Sequence, residues 1–299
     1  MILDAQPGIL QPLPAAGRHL FFTLIEGRKP AQVRTALTAL AQLTDGDAAV
    51  AGLGQTLVQA LNQTVPGLRE FPSLAVSGSG LPVPSTPAAL WVWLRGADRG
   101  DLTLTARRFE KALGEAFALQ GVVDTFQYGS GRDLTGYEDG TENPTGDSAV
   151  DAALVQGAGP GRDGASFAAV QQWVHDFDAF ERLTPAARDN AIGRRLQDNQ
   201  ELEGAPASAH VKRTAQERFT PPAFVLRRSM PWALGMQAGL LFLAFGKSLD
   251  PFEAQLRRMA GQDDGIADAL FGFSKPVTGA YFWCPPMRSG KLDLSAIGL

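Results

Sequence analysis

Cysteine is nearly absent from this chain of 299 residues: Cys284 stands alone. One thiol makes neither an internal disulfide nor a thiolate metal cage, which excludes zinc-finger and iron–sulfur chemistry and suits a reducing compartment. Histidine is almost as scarce, with His19, His175 and His210 the three present. None has a second His or a Cys at metal-site spacing, so a zinc centre is not expected. A basic excess is missing as well: 27 Lys and Arg against 31 Asp and Glu leave a net charge of −4. With no cationic surplus to hold a phosphate backbone, a general nucleic-acid binder is excluded. Long apolar runs are also lacking. The longest, residues 232–246, contains Gln237 and is about one turn short of a membrane span. The stretch 1–17 has no Lys or Arg, carries Asp4 and is interrupted by Pro7, Pro12 and Pro14, unlike a secretory leader. The expectation is a soluble cytoplasmic protein with neither a membrane nor a nucleic-acid partner.

What is present is a core and a repeat. The 44% apolar content can fill a core, and the length suits two domains of roughly 100–200 residues. Residues 89–96 (ALWVWLRG) read as a buried strand, and residues 102–117 as an amphipathic helix with Phe109, Leu113 and Phe117 spaced by four. Residues 239–246 (GLLFLAFG) repeat the strand. Asp250-Pro251 then reads as an N-cap with proline at the first helical position, opening a helix that aligns Phe252, Leu256 and Met259. Earlier strands are expected at 19–26 and 166–174, followed by a helix at 30–43 and helical segments over 177–196. Closing strands are expected at 121–128 and 279–284, and residues 73–77 and 223–228 supply the remaining strand of each half. The order is β-α-β-β-α-β twice, an α+β fold of two tandem ferredoxin-like domains with antiparallel sheets, divided as 1–134 and 135–299.

Between the halves, residues 128–164 are rich in Gly, Asp and Pro. A long irregular segment in a compact protein is usually functional or a linker. Within it, Gly136-Tyr137-Glu138-Asp139-Gly140-Thr141-Glu142-Asn143-Pro144 sets three carboxylates among glycines and a proline. The glycines permit close approach to a flat ligand or a positive φ, and a carboxylate on such a loop can carry protons; a solvated acidic turn is the plainer alternative. Arg227 and Arg228 interrupt an apolar strand, so one of them should face inward and need a partner. A single axial ligand is all that haem b requires, and no Cys-x-x-Cys-His is present to attach a c-type haem. Composition leaves His210, His175 and even Cys284 open for that place. No phosphate loop joins a strand to a helix, and no Gly-x-Ser-x-Gly elbow occurs in the context a serine hydrolase needs.

Three segments together resemble a known family. They are the Gly-x-x-Asp-Gly of residues 136–140 continuing as Thr-Glu-Asn-Pro, His210-Val211-Lys212-Arg213-Thr214, and Leu226-Arg227-Arg228-Ser229-Met230-Pro231. In this order, on a duplicated ferredoxin-like pattern, they resemble the B-type, cytoplasmic bacterial branch of the dye-decolourising peroxidases. The resemblance implies haem b held mainly by the second domain, with His210 as iron ligand and Asp268 on its far nitrogen. It implies a propionate contact from Arg213, and further cofactor contacts from Glu142, Asn143, Arg227 and Ser229, the last where many relatives carry asparagine. Asp139 and Arg227 become the distal catalytic pair, with Asp133 near the peroxide route. The implied reaction reduces H2O2 to water through a ferryl intermediate and oxidises bulky phenolic or dye-like one-electron donors. A haem carrier or store and an iron-removing haem-processing protein are the alternatives. A homo-oligomer is expected. Packaging in an encapsulin shell is not, because residues 291–299 lack a flexible linker before Ile297-Gly298-Leu299.

Overall fold

The computed structural model describes residues 4–299; residues 1–3, part of the stretch considered above as a leader, lie outside the described residues. Strand β1 (Ala16–Leu24) alternates its side chains between two cores. Leu20 and Phe22 pack outward with helix α1 (Pro30–Leu43), while His19 and Phe21 point to the other face. Strand β2 (Ala49–Leu53) and strand β3 (Leu90–Gly96) follow. Helix α2 (Arg99–Leu113) starts where the Asp98 carboxylate accepts from the backbone N–H groups of Gly100 and Asp101, at 2.7 and 3.0 Å. It stops at Gly114, so Phe117, expected at the end of its apolar face, instead begins strand β4 (Phe117–Phe126) and pairs with Leu24.

The second half repeats this path with strand β5 (Ser166–His175), the short helix α3 (His210–Arg213), strands β6 (Met230–Leu234) and β7 (Gln237–Gly246), helix α4 (Asp250–Met259) and strand β8 (Ala280–Cys284). Asp250 is the first residue of α4 and Leu249 its cap, one place from expectation. Strand order is β2-β3-β1-β4 in the first sheet and β8-β5-β7-β6 in the second, every neighbour antiparallel. Both are the ferredoxin-like order.

Two strand expectations need correction. Residues 73–77 do not join the first sheet: Leu74–Ala75 pairs with Pro82–Val83 in a separate hairpin, and β2 takes the place. Its sequence, Ala-Val-Ala-Gly-Leu, is mostly small, with no aromatic and Val50 its one β-branched residue, yet all five residues are buried. A Cβ on Gly52 would lie 2.7 Å from the Phe282 Cβ, so smallness is what the packing requires there. In the second half only Leu226–Arg227 of the expected 223–228 pairs with β7, and the strand resumes as β6.

The two sheets also join. One residue pair, Trp283 with Leu53, links β8 to β2, and another, Thr125 with Trp232, links β4 to β6. These seams close the eight strands into a ring with α1, α2 and α4 outside. His19, Trp91, Trp93, Phe245 and Phe282 fill its interior, with His19 stacked between Trp91 and Trp93 at 5.8 and 5.7 Å between centroids. Among the described residues no helix is long and apolar enough to cross a membrane.

Candidate active site

Arg227 sits in the short strand whose Cα partner on β7 is Ala244, so it shares a sheet face with Ala244, Phe242 and Leu240. Phe242 and Leu240 are only partly buried, leaving an apolar strip beside the guanidinium. Arg228, one residue on, turns to the other face. It donates to the carbonyls of Leu10 and Arg227, and burial, with the nearby Arg95 charge, pushes it down to about 10. Of the two arginines, Arg227 thus meets the acid loop.

That loop is a tight hairpin. The Asp133 N–H donates to the Tyr137 carbonyl, Gly136 N–H to the Asp133 carbonyl and Asp139 N–H to the Gly131 carbonyl, at 2.9, 2.8 and 3.1 Å. Gly131, Gly136 and Gly140 have φ of 114°, 92° and 80°, the region where glycine is unstrained. The turn brings Asp139 Oδ1 to 3.0 Å from Arg227 Nη1, with both side chains about one-fifth exposed. Asn143 fixes the arginine from behind: Arg227 N–H donates to its Oδ1 at 2.8 Å, and its Nδ2 donates to the Arg227 carbonyl at 3.0 Å. A cavity of about 50 Å³ adjoins the pair, lined in part by Tyr128, Arg132, Arg228, Ser229 and Leu240. That volume exceeds the roughly 10–15 Å³ needed to hold one water-sized molecule. Ser229 accepts the Leu243 N–H at 3.3 Å through its Oγ, which leaves its own proton free to donate.

His210 opens α3 directly after the fully buried Ala209. Its Nδ1 lies 2.7 Å from Asp268 Oδ2, and the Asp268 side chain has no solvent exposure. The other carboxylate oxygen accepts the Leu270 N–H at 2.9 Å and caps a 3₁₀ turn, so the acid is fixed at both oxygens. With the proton on Nδ1, the Nε2 lone pair is free. That nitrogen has no hydrogen-bond partner among the described residues. An imidazole backed by a carboxylate, with its second nitrogen unengaged, is the arrangement of a metal-ligating histidine. Gln216 ties this side to the other: its Nε2 donates to the Glu142 carbonyl at 3.0 Å, and its Oε1 accepts the Val225 N–H at 2.8 Å.

Two expected contributors have charged protein partners. The buried Arg213 makes a bidentate pair with Asp264, both contacts 2.7 Å, and also donates to the Arg258 carbonyl. Those hydrogen bonds hold the Asp264 carboxyl down at about 2. The Arg213 guanidinium is thus held by protein partners. The Glu142 carboxylate meets Arg194 and is mostly exposed; only its carbonyl, through Gln216, belongs to the scaffold.

The structure adds three polar contacts that the sequence did not reveal. Tyr137 Oη donates to Asp189 Oδ1 at 2.5 Å, and burial, then this carboxylate, pushes the phenol well above its ordinary range. His175 Nε2 lies 2.9 Å from Asp133 Oδ2, and its Nδ1 lies 2.8 Å from Ser274 Oγ. Burial alone would raise the Asp133 carboxyl; hydrogen bonds from His175 and Thr135 outweigh it and hold the group below the usual carboxylate range. These partners are 42 and 99 residues apart in sequence, so no local pattern announces them.

Residues 130–289 match the family model for the C-terminal part of Dyp-type peroxidases. The chain is 30% identical over 301 residues to a dye-decolorizing peroxidase of Rhodococcus erythropolis, covering 95% of this chain and 88% of that one. It is 30% identical to one of Mycobacterium tuberculosis, covering 72% and 66%. Among solved structures, a dye-decolorizing protein from V. cholerae superposes with a TM-score of 0.83 at 28% identity, over 95% of this chain and 96% of that one. A variant of Rhodococcus jostii RHA1 DypB, solved in complex with heme, superposes with a TM-score of 0.85 at 27% identity, over 93% and 95%.

Proposed function

The chain belongs to the dye-decolourising peroxidase family, and from that premise we propose that it binds haem b between His210 and the Asp139–Arg227 pair and uses it to reduce H2O2 to water. The donor set suits that group: an imidazole with a free nitrogen, a buried carboxylate behind it, and an apolar strip at Leu240 and Phe242 for a macrocycle to lie against. Haem, when bound, supplies the redox chemistry, taking up the two oxidising equivalents of H2O2 and passing them on one electron at a time.

The chain's own residues manage protons and charge. Asp268 holds the His210 ring in one orientation and makes its Nε2 a stronger electron donor. An Asp139 carboxylate oxygen takes the proton from one peroxide oxygen and returns it to the other, which then leaves as water. The Arg227 guanidinium sets positive charge where negative charge develops on the departing oxygen, and the Asn143 clamp saves it from reorganising. The cavity beside the pair has room for a small peroxide; a bulky phenol or dye is proposed not to enter it. Such donors would deliver electrons at the protein surface, through aromatic side chains. A lone, buried Cys284 suits action in a reducing cytoplasm.

The observation that carries this reading is the 3.0 Å Asp139–Arg227 contact. A carrier or store needs His210 but has no use for an acid–guanidinium pair with a backbone clamp. The test is stopped-flow absorbance of haem-loaded protein mixed with H2O2. A fast Soret change that collapses in Arg227→Leu at unchanged haem content supports the peroxidase; kinetics unchanged in that variant would return the protein to the storage class.

A further inference from the structure

We infer that His175 is a positioning residue for Asp139, acting through Asp133 as a latch that fastens the acid hairpin to the second sheet. The inference rests on the proposed use of Asp139 as proton carrier. Serine, histidine and aspartate also make up hydrolase triads, but Ser274 is 1% exposed, so no acyl substrate reaches its hydroxyl. The three residues serve a different end.

His175 is the last residue of β5, and Ser274 is its register partner on the neighbouring short strand Ser274–Pro276. Both therefore belong to the rigid part of the second sheet. Because the Asp133 carboxylate can only accept, a proton on Nε2 directed at its Oδ2 suits the contact, and Nδ1 of the neutral ring is then left to accept the Ser274 hydroxyl. Asp133 Oδ1 accepts from the Thr135 N–H at 2.8 Å and the Thr135 hydroxyl at 2.6 Å. Both carboxylate oxygens are thus engaged within the protein, and the Asp133 side chain is 14% exposed. It is built as an anchor rather than as an acid open to ligand.

What it anchors is the hairpin of residues 131–139. Asp133 starts the turn, and Asp139 returns opposite Gly131, two residues before the anchor. Four glycines with positive φ, Gly129, Gly131, Gly136 and Gly140, give this stretch unusual backbone freedom. A proton carrier must be held within tenths of an ångström of its partner. The glycines that let the loop approach Arg227 would also let it drift, and the buried Asp133–His175 contact is what opposes that drift. Removing the imidazole leaves a buried carboxylate without its partner, which drives the turn outward.

The test uses haem-loaded enzyme and two readouts. In His175→Phe, hydrogen exchange at the amides of Asp133, Gly136 and Asp139 should quicken about tenfold or more, and the rate constant with H2O2 should fall about tenfold, a fraction of what a general acid–base group contributes. Haem content and the axial-ligand spectrum should not change. His175→Gln, which restores an N–H donor near the Nε2 position, should recover most of both losses. Thr135→Val removes one donor to the same carboxylate and should shift both readouts the same way by less; it carries the test if His175→Phe does not fold. Unchanged exchange at the three amides overturns the latch. Asp139→Ala, run alongside, separates the two readings. A peroxide rate that it leaves unchanged removes Asp139 as proton carrier whatever His175 does; a rate lost in Asp139→Ala but kept in His175→Phe removes the latch alone.

Discussion

His210 Nδ1 and Asp268 Oδ2 lie 2.7 Å apart, and the aspartate side chain is wholly screened from solvent. A buried carboxylate facing an imidazole N–H strengthens the ring's donation from its other nitrogen and so favours the oxidised metal. Asp268→Asn keeps the shape and one acceptor oxygen, which can cap Leu270 while the amide nitrogen faces His210, and it loses the charge. The expected result is retained haem and a more positive iron reduction potential by spectroelectrochemistry; a potential equal to wild type would remove Asp268 from this role. His210→Ala should lose the haem spectrum outright. Asp268→Ala is the poorer probe, because losing the cap alone costs about 1 kcal/mol.

The Asp139–Arg227 contact predicts coupled effects. Arg227→Leu should lower the second-order rate constant with H2O2 by roughly 100- to 1000-fold at unchanged haem affinity, the usual loss for one donor to a developing oxyanion. Asp139→Asn should lower it too. Because each side chain orients the other at 3.0 Å, the double variant should lose little more than the worse single one. Stopped-flow rates for the four proteins give the comparison, and strictly multiplicative losses would mean that the two act independently.

Where periodicity and turn chemistry agree, sequence foretold structure closely. Helix α1 spans the expected 30–43, and strands β3, β5, β7 and β8 fall within two residues of expectation. The failures share a cause. Strand β2 has neither aromatics nor alternation, and is a strand only because both its faces are covered by residues distant in sequence. The closing of the two sheets into one ring hangs on two single-residue contacts between edges, which no local pattern encodes. The Asp139–Arg227 and His210–Asp268 contacts were legible because their segments resemble known ones. The Arg213–Asp264 pair was not foreseen, because the two residues lie 51 apart in sequence. The Asn143 backbone clamp and the His175–Ser274 pair depend likewise on remote contacts.

Acid sensitivity should trace first to His19. Burial inside the ring pushes this imidazole down to about 3, while in the unfolded chain it titrates near 6.5. Between those values the unfolded state binds a proton that the folded state does not, so stability rises with pH across about 3 to 6.5 and is lost on acidification. Each tenfold difference in proton affinity is worth about 1.4 kcal/mol. Asp133, held below the usual carboxylate range, adds a loss of the same sign at the acid end of that window. Thermal unfolding from pH 7 to pH 4 should therefore show a falling Tm, and His19→Gln, which keeps an acceptor for the Trp91 N–H, should flatten it. The same slope in variant and wild type would assign the acid response to another group.

Gly140 offers a way to disturb the Arg227 clamp without touching either clamp residue. Its φ is 80°, and a Cβ built there would lie 2.9 Å from Asn143 Nδ2. Gly140→Ala thus carries two costs: about 1–3 kcal/mol of backbone strain and displacement of the amide that donates to the Arg227 carbonyl. Gly131 isolates the first cost. Its φ is 114°, and nothing lies within 4 Å of the Cβ position, so Gly131→Ala strains the same hairpin without pushing a side chain. If the clamp matters for chemistry, Gly140→Ala should lower Tm by more than Gly131→Ala does, and the rate constant with H2O2 should fall several-fold further in Gly140→Ala. Asn143→Ala should reproduce that extra loss without the strain, with a stability cost of about 1–3 kcal/mol for the backbone groups left unpaired. Equal rate losses in the two glycine variants would show that loop strain alone governs activity, and that the hydrogen bonds between Asn143 and Arg227 serve the fold.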